Sequence, residues 1–383
     1  MLALAASPAQ AQSWAAGWFS PPFAPTAVRP ATTPPIFSNQ TTRRIVRIET
    51  SGDAIRLRLT NELGITPVQV ADVHVAKVDS KGRIVPGSDR QVTFDGRKEA
   101  WIPVRSPMLS DPVAMPVEAL QHIAISVYYA DATMPAAHHA NLMVAPGNQT
   151  SSVTMVSSTQ ERGPGLTSEI DVERPESAPV IVTFGDSITE GARSTPDADM
   201  SWPQQLAQRI HKDPERRYWS VVNSGMSGNR LLHQGFGEPA LARFDRDVLA
   251  IPGITHIVLL EGINDIGWWN KPESHVDADM VIGAYKQIVA RAHAHGVKVI
   301  GATMLPYKGA VYYTPEGEQM RETVNKFIRT SGLFDGVIDF EKATRDPSDP
   351  QRIRPAFDPD DHLHENDTGY GAMADAVPLS LFK

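Results

Sequence analysis

The chain contains no cysteine, which excludes a disulfide framework, a thiolate nucleophile and a Cys-ligated zinc site. Positive charge is in deficit: 36 Lys and Arg against 44 Asp and Glu leave a net charge of −8. No basic footprint therefore exists for a phosphate backbone, and nucleic acid is not an expected partner. No apolar run is long enough to span a bilayer. A Gly-x-Ser-x-Gly elbow is also missing, which argues against the α/β-hydrolase arrangement. Oxygen, nitrogen and carboxylate chemistry remain. The 383 residues, 41% of them hydrophobic, exceed one ordinary compact domain and predict two.

Residues 1–11, ending in Ala9-Gln10-Ala11, read as the end of a signal-peptide apolar region with its small-residue cleavage site, so a secreted or periplasmic protein is expected. The basic residues that open such signals are missing from this stretch, and a short apolar arm is the alternative. A Pro-rich arm follows to residue 42. From 43 to 156 apolar and polar residues alternate, as in Arg43-Arg44-Ile45-Val46-Arg47-Ile48 and Ile55-Arg56-Leu57-Arg58-Leu59. Further segments of this kind lie at 70–78, 100–104 and 123–129, punctuated by Gly and Pro turns. They predict an all-β, jelly-roll-like antiparallel sandwich.

A stretch rich in Gly, Pro, Ser and Glu at 157–179 reads as a linker. In the second domain, 180–383, the period changes. Val180-Ile181-Val182-Thr183-Phe184 suits a strand buried on both faces. Further strands at 219–222, 255–260, 297–303 and 337–340 alternate with helical segments at 202–211, 239–249, 278–295, 316–330 and 368–377. Five strands interleaved with helices predict a three-layer α/β domain with a mainly parallel sheet, whose ligands bind at the carboxyl ends of the strands.

Chemistry-bearing residues gather in those loops. After the first strand comes Gly185-Asp186-Ser187-Ile188. A serine at a strand-to-helix turn exposes its hydroxyl at the sheet rim, and its own N–H points towards any oxyanion forming there. An ordinary turn, with Asp186 or Ser187 capping the helix, is the competing reading. After the second strand, Ser224-Gly225-Met226-Ser227-Gly228-Asn229 leaves backbone N–H groups free to donate. After the third, Gly262-Ile263-Asn264-Asp265 adds an amide donor that does not titrate. Near the C-terminus, Asp361-His362-Leu363-His364 offers an Asp three residues before a His, the spacing for an oriented general base. His362 and Asp358 are possible substitutes, and a His-Leu-His metal clip is the competing reading. It has no third ligand nearby in sequence, so no metal is expected.

These four blocks resemble those of the SGNH/GDSL hydrolases, over about half the chain from residue 180 onward. The resemblance implies a flavodoxin-like domain with Ser187 as nucleophile, His364 as base and Asp361 orienting it. It also implies an oxyanion hole formed by the Ser187 and Gly228 N–H groups and Asn264. The upstream β-domain is similar to that of the secreted arylesterase/acylhydrolase branch associated with xylanase gene clusters. One departure is Glu365, where the family usually has Pro. Trp268 and Trp269 suit a platform for a sugar, aryl or acyl group or else pack against the β-domain, and with Asp186 they complete the candidate substrate-binding set. His138-His139 reads as a loop, and His293 and His295 as surface residues.

The resemblance implies ester hydrolysis on short-chain acyl or acetyl esters, acylated carbohydrates included, with no cofactor. An alternative of a different class is a carbohydrate-binding sandwich attached to an inactive or acyltransferase-type domain.

Overall fold

The computed structural model describes residues 13–24, 36–174 and 178–383. The N-terminal half is a β-sandwich. One sheet runs in the order Ser13–Phe19, Thr167–Arg174, Ala54–Thr60, Pro107–Leu109. The other runs Thr159–Pro164, His139–Pro146, Gln40–Arg47, His122–Tyr129, Asp72–Lys77, Arg90–Gln91. Their pairings are antiparallel. Alternation in Ala54–Thr60 sends Ile55, Leu57 and Leu59 into the core between the sheets.

Two boundary expectations are corrected. Within the expected arm at 12–42, Ser13–Phe19 forms a strand along Thr167–Arg174. Small residues permit this close approach: a Cβ on Gly17 would lie 2.5 Å from Val172. Within the expected linker at 157–179, Thr159–Pro164 and Thr167–Arg174 are strands. Acidic residues masked the second, yet Glu169 and Asp171 stand opposite Arg58 and Arg56, with Arg56 Nε 2.7 Å from Asp171. His139 likewise opens a strand instead of a loop, and His138 beside it is buried. The signal-peptide reading of 1–11 lies outside the described residues.

The C-terminal half is a three-layer α/β domain. Its parallel sheet has the order Ser220–Gly225, Val180–Gly185, Ile254–Leu260, Lys298–Ala302, Gly336–Ile338. Taken in chain order this is 2-1-3-4-5, the flavodoxin-like arrangement. Val180–Gly185 is buried throughout, as expected of a strand covered by helices on both faces. Trp202–Lys212 begins with a capping box between Ser201 and Gln204 and buries Trp202, Leu206 and Ile210 along one stripe.

Ser13–Phe19 joins the halves. Ala16 N–H donates to Pro252 O at 3.0 Å, and Ala15, Ala16 and Phe19 enter the core of the C-terminal domain. Across the same boundary Arg47 donates to Gln204 O at 2.9 Å, and Thr50 donates to Tyr218 O at 3.0 Å. No helix among the described residues is long and apolar enough to cross a membrane.

Candidate active site

Ser187 opens a one-turn helix, Ser187–Glu190, directly after the strand Val180–Gly185. Gly185 is required at the turn, because a Cβ there would lie 2.2 Å from Leu260 O. Asp186 is the N-cap: its Oδ1 accepts the Ile188 N–H at 2.9 Å, and the residue is 1% exposed. The capping and nucleophile readings of this turn are thus both realised, by adjacent residues. Asp186 is not placed to touch substrate, which corrects its assignment to the binding set.

Ser187 Oγ lies 2.8 Å from His364 Nε2, and His364 Nδ1 lies 2.9 Å from Asp361 Oδ2. Asp361 Oδ1 also accepts the backbone N–H groups of Leu363 and His364, locking carboxylate, loop and imidazole together. Arg193 Nε reaches the same Oδ2 that faces the imidazole, at 2.8 Å. Burial raises the Asp361 carboxyl, but the bonds and charge of His364 and the bond from Arg193 prevail and hold it well below the usual carboxylate range. His362 pairs instead with Asp358, so the two His–Asp pairs of this loop interleave and only the second reaches Ser187. Among the described residues no group of three or more His, Asp or Glu is placed to hold a metal ion.

Gly228 sits at φ +69°, and a Cβ there would meet the Phe236 ring at 2.1 Å. Only glycine fits this position. Asn264 donates from Nδ2 to Asn229 O at 2.9 Å, while its Oδ1 accepts from the Tyr312 hydroxyl at 3.3 Å. Those two bonds fix the amide and leave its second N–H free. Trp268 lies edge-on to Tyr312 with ring centroids 5.8 Å apart, is 38% exposed and carries Lys271 Nζ 4.2 Å above its ring. It stands partly exposed on the Asn264 turn, with Lys271 over one face of the ring. Trp269 is turned away, donating from Nε1 to Thr314 Oγ1 at 3.2 Å. Packing accounts for Trp269, though against the loop after Lys298–Ala302 and not against the sandwich.

Two further groups escaped the sequence reading. The Arg243 guanidinium is buried and donates to Asn229 Oδ1 at 2.7 Å, Ser224 O at 3.0 Å and Gly185 O at 3.0 Å. One fork thereby ties the nucleophile turn to the Gly228 loop. Its sequence signal was Arg243 and Asp247 at i, i+4 on the face that also buries Ala240, Phe244 and Val248. The second group is Glu190. Its Oε2 accepts the Ser227 N–H, and its Oε1 lies 3.1 Å from Nε2 of His138, whose Nδ1 faces Pro21 O at 3.2 Å. Burial opposes ionisation of Glu190, yet His138 and Ser227 hold its carboxyl down at about 2.

Other carboxyls around the triad are pushed the opposite way. Burial raises Asp186 to about 7 and Asp265 to about 6, although Asp265 accepts the Leu231 and Leu232 N–H groups. Glu261 and Glu365 are buried, Glu365 with no partner for either carboxyl oxygen among the described residues, and burial raises both. Glu365, the departure noted in the sequence, is therefore a buried carboxyl directly after His364 whose ionisation burial disfavours. It packs against Gly369, where a Cβ would lie 2.6 Å from its Cγ.

A serine hydroxyl within reach of an oriented imidazole at the carboxyl rim of a flavodoxin-like sheet is the arrangement of a serine hydrolase of the acyl-transfer class. Residues 183–372, about half of the chain, match the family model of the GDSL-like lipase/acylhydrolases, and the chain belongs to that family through its C-terminal domain. It is a serine ester hydrolase. No curated protein gives a significant match. Among solved structures the chain is similar to a GDSL-like lipase from Bacteroides thetaiotaomicron, with 20% identity over 53% of this chain and 87% of that one, TM-score 0.39. It is also similar to a catalytic mutant of an acetylxylan esterase from Geobacillus stearothermophilus, with 21% identity over 53% of this chain and 93% of that one, TM-score 0.41.

Proposed function

We propose that this protein hydrolyses short-chain acyl or acetyl esters, acylated carbohydrates included, through a Ser187–His364–Asp361 triad. The observation that carries the reading is the unbroken chain of 2.8 Å and 2.9 Å contacts from Ser187 Oγ through His364 to Asp361. His364 Nε2 takes the hydroxyl proton as Ser187 Oγ attacks the carbonyl carbon. The oxyanion forms among the Ser187 N–H, the Gly228 N–H and the Asn264 amide. Collapse breaks the ester C–O bond, the proton on Nε2 passes to the departing alcohol, and an acyl-Ser187 ester remains. Water then attacks that ester with His364 again as base, releasing the acid and restoring the hydroxyl.

The partly exposed Trp268 indole on the Asn264 turn supports contact with a group near the ester, in keeping with a carbohydrate or aryl substituent. Export rests on the Ala9-Gln10-Ala11 pattern alone. A chain recovered from the periplasm or medium should then begin at Gln12.

The test is to assay wild type and Ser187→Ala side by side on p-nitrophenyl acetate, butyrate and octanoate, then to quantify acetate released from acetylated xylan. Turnover lost in the variant alone, with preference for the short chains, supports the reading. Activity that survives in Ser187→Ala names the wrong nucleophile, and a wild type inert on every ester overturns it.

A further inference from the structure

A cavity of about 300 Å³ lies on the boundary between the sandwich and the hydrolase domain. This size falls at the lower end of small-molecule sites. Its hydrolase wall is made by Glu190, Ser227 and Phe236, its sandwich wall by Phe23, His138, His139 and Arg162. The cavity adjoins the catalytic machinery: Ser227 immediately precedes Gly228, and the Phe236 ring rests against the Gly228 backbone. Its wall thus includes the loop that carries Gly228.

The lining is chemically unequal. Phe236 is 50% exposed although it lies within the cleft, and Phe23 meets His138 edge-on with centroids 5.8 Å apart. These rings provide apolar walls. The one carboxylate, Glu190, is already engaged by His138 and the Ser227 N–H. His139 is held below the ordinary imidazole value by burial and by neighbouring His138 and Arg162, so it adds no fixed charge of its own. Arg162 is different. It projects from Thr159–Pro164, the edge strand of the sandwich, is exposed, and has neither an ion-pair nor a hydrogen-bond partner among the described residues. An exposed guanidinium in a lining that also carries two aromatic rings, with the lining carboxylate Glu190 already engaged by His138 and the Ser227 N–H, is suited to bidentate capture of a carboxylate.

We propose that this interdomain cavity is a subsite for a carboxylate borne by the ester substrate, with Arg162 as its anchor. The inference rests on the esterase reading and narrows its substrate class from acyl esters at large to anionic ones. It also gives the sandwich a place in substrate selection. The same chemistry arises from two sources, an acidic sugar on the alcohol side of the ester or a dicarboxylic hemiester on the acyl side.

Two matched substrate pairs separate these sources: mono-O-acetyl methyl glucuronoside against mono-O-acetyl methyl glucoside, and p-nitrophenyl hemisuccinate against p-nitrophenyl butyrate. In wild type the acidic member of one pair is favoured in kcat/KM. Arg162→Gln lowers that acidic-to-neutral ratio about tenfold, and Arg162→Lys restores part of it. The pair that responds identifies the side of the ester that enters the cavity. Ratios in both pairs that are the same in wild type and Arg162→Gln overturn the proposal. If wild type hydrolyses no ester, the esterase reading fails separately, and the cavity is then read by calorimetric titration with methyl glucuronoside and with succinate. Binding to wild type that Arg162→Gln abolishes retains the carboxylate site, and no binding to wild type removes it.

Discussion

His138 of the sandwich lies 3.1 Å from Glu190 on the one-turn helix that Ser187 begins, and the other Glu190 oxygen accepts the Ser227 N–H. The β-domain thereby reaches, through a single carboxylate, the loop that carries the Gly228 N–H. A detached binding module would have no such contact with the Gly228 loop.

Replacing Glu190 should therefore affect turnover more than binding. Glu190→Gln leaves the shape but removes the charge from bonds of a kind that contribute about 1.5–3 kcal/mol. If part of that is spent holding the Gly228 loop in place, kcat falls about tenfold while KM stays within about twofold. Steady-state kinetics on p-nitrophenyl acetate, beside a melting curve, provide the check. A lowered melting temperature with kcat intact would make the link purely structural.

Much of the architecture was legible in the sequence because periodicity reports burial directly. The buried run at Val180–Gly185 and the alternation at Ala54–Thr60 fall where the sequence placed them, and the first and last rim blocks meet at Ser187 Oγ and His364 Nε2. Thr167–Arg174 was not legible, because Asp171 is paired across strands with Arg56 and Glu169 stands opposite Arg58, partners more than 100 positions away. Arg243 and His138 escaped for the same reason. Their roles are bonds to Gly185, Asn229 and Glu190, and nothing in a local window distinguishes such a residue from a solvated one. Asp186 was misassigned because proximity to Ser187 in sequence says nothing of the cap that turns its carboxyl inward.

The raised carboxyls around the triad make stability depend on pH with a definite sign. Asp186 at about 7 and Asp265 at about 6 hold their protons more tightly in the folded chain than in the unfolded one. Their stabilisation is complete below about pH 4 and is lost as pH rises through those values. Asp361 and Glu190 act oppositely, because their depressed values remove stability as pH falls below about 4. Maximum stability should lie on the acid side of neutrality, with a melting temperature at pH 8 about 5 °C below that at pH 5.5. Calorimetry at constant ionic strength checks this, and a higher value at pH 8 contradicts it.

Glu365 isolates one of these groups. Its two carboxyl oxygens have no partner among the described residues, and burial pushes its carboxyl well above the usual range. Glu365→Gln reproduces the neutral shape without the ability to ionise. At pH 6 the variant and wild type should melt within about 1 °C of each other, an isosteric change with little transfer cost. At pH 9 the variant should be the more stable, because wild type then meets the cost of burying an anion. Equal melting at both values would mean that water or a partner reaches this carboxyl.

Gly228 provides the sharpest test of the oxyanion loop. Alanine there must occupy φ +69° and set its Cβ 2.1 Å from the Phe236 ring, so Gly228→Ala carries two separable costs. Strain at positive φ contributes about 1–2 kcal/mol, and the clash moves either the ring or the N–H. Displacing an oxyanion donor costs about 100-fold or more in kcat. The double change Gly228→Ala with Phe236→Ala removes the clash and leaves the strain. If the N–H position limits catalysis, the single variant loses about 100-fold in kcat, and the double variant recovers at least about tenfold of it. Recovery in melting temperature without recovery in kcat would place the loss in the backbone conformation itself. An unchanged kcat in the single variant would take Gly228 out of the oxyanion hole.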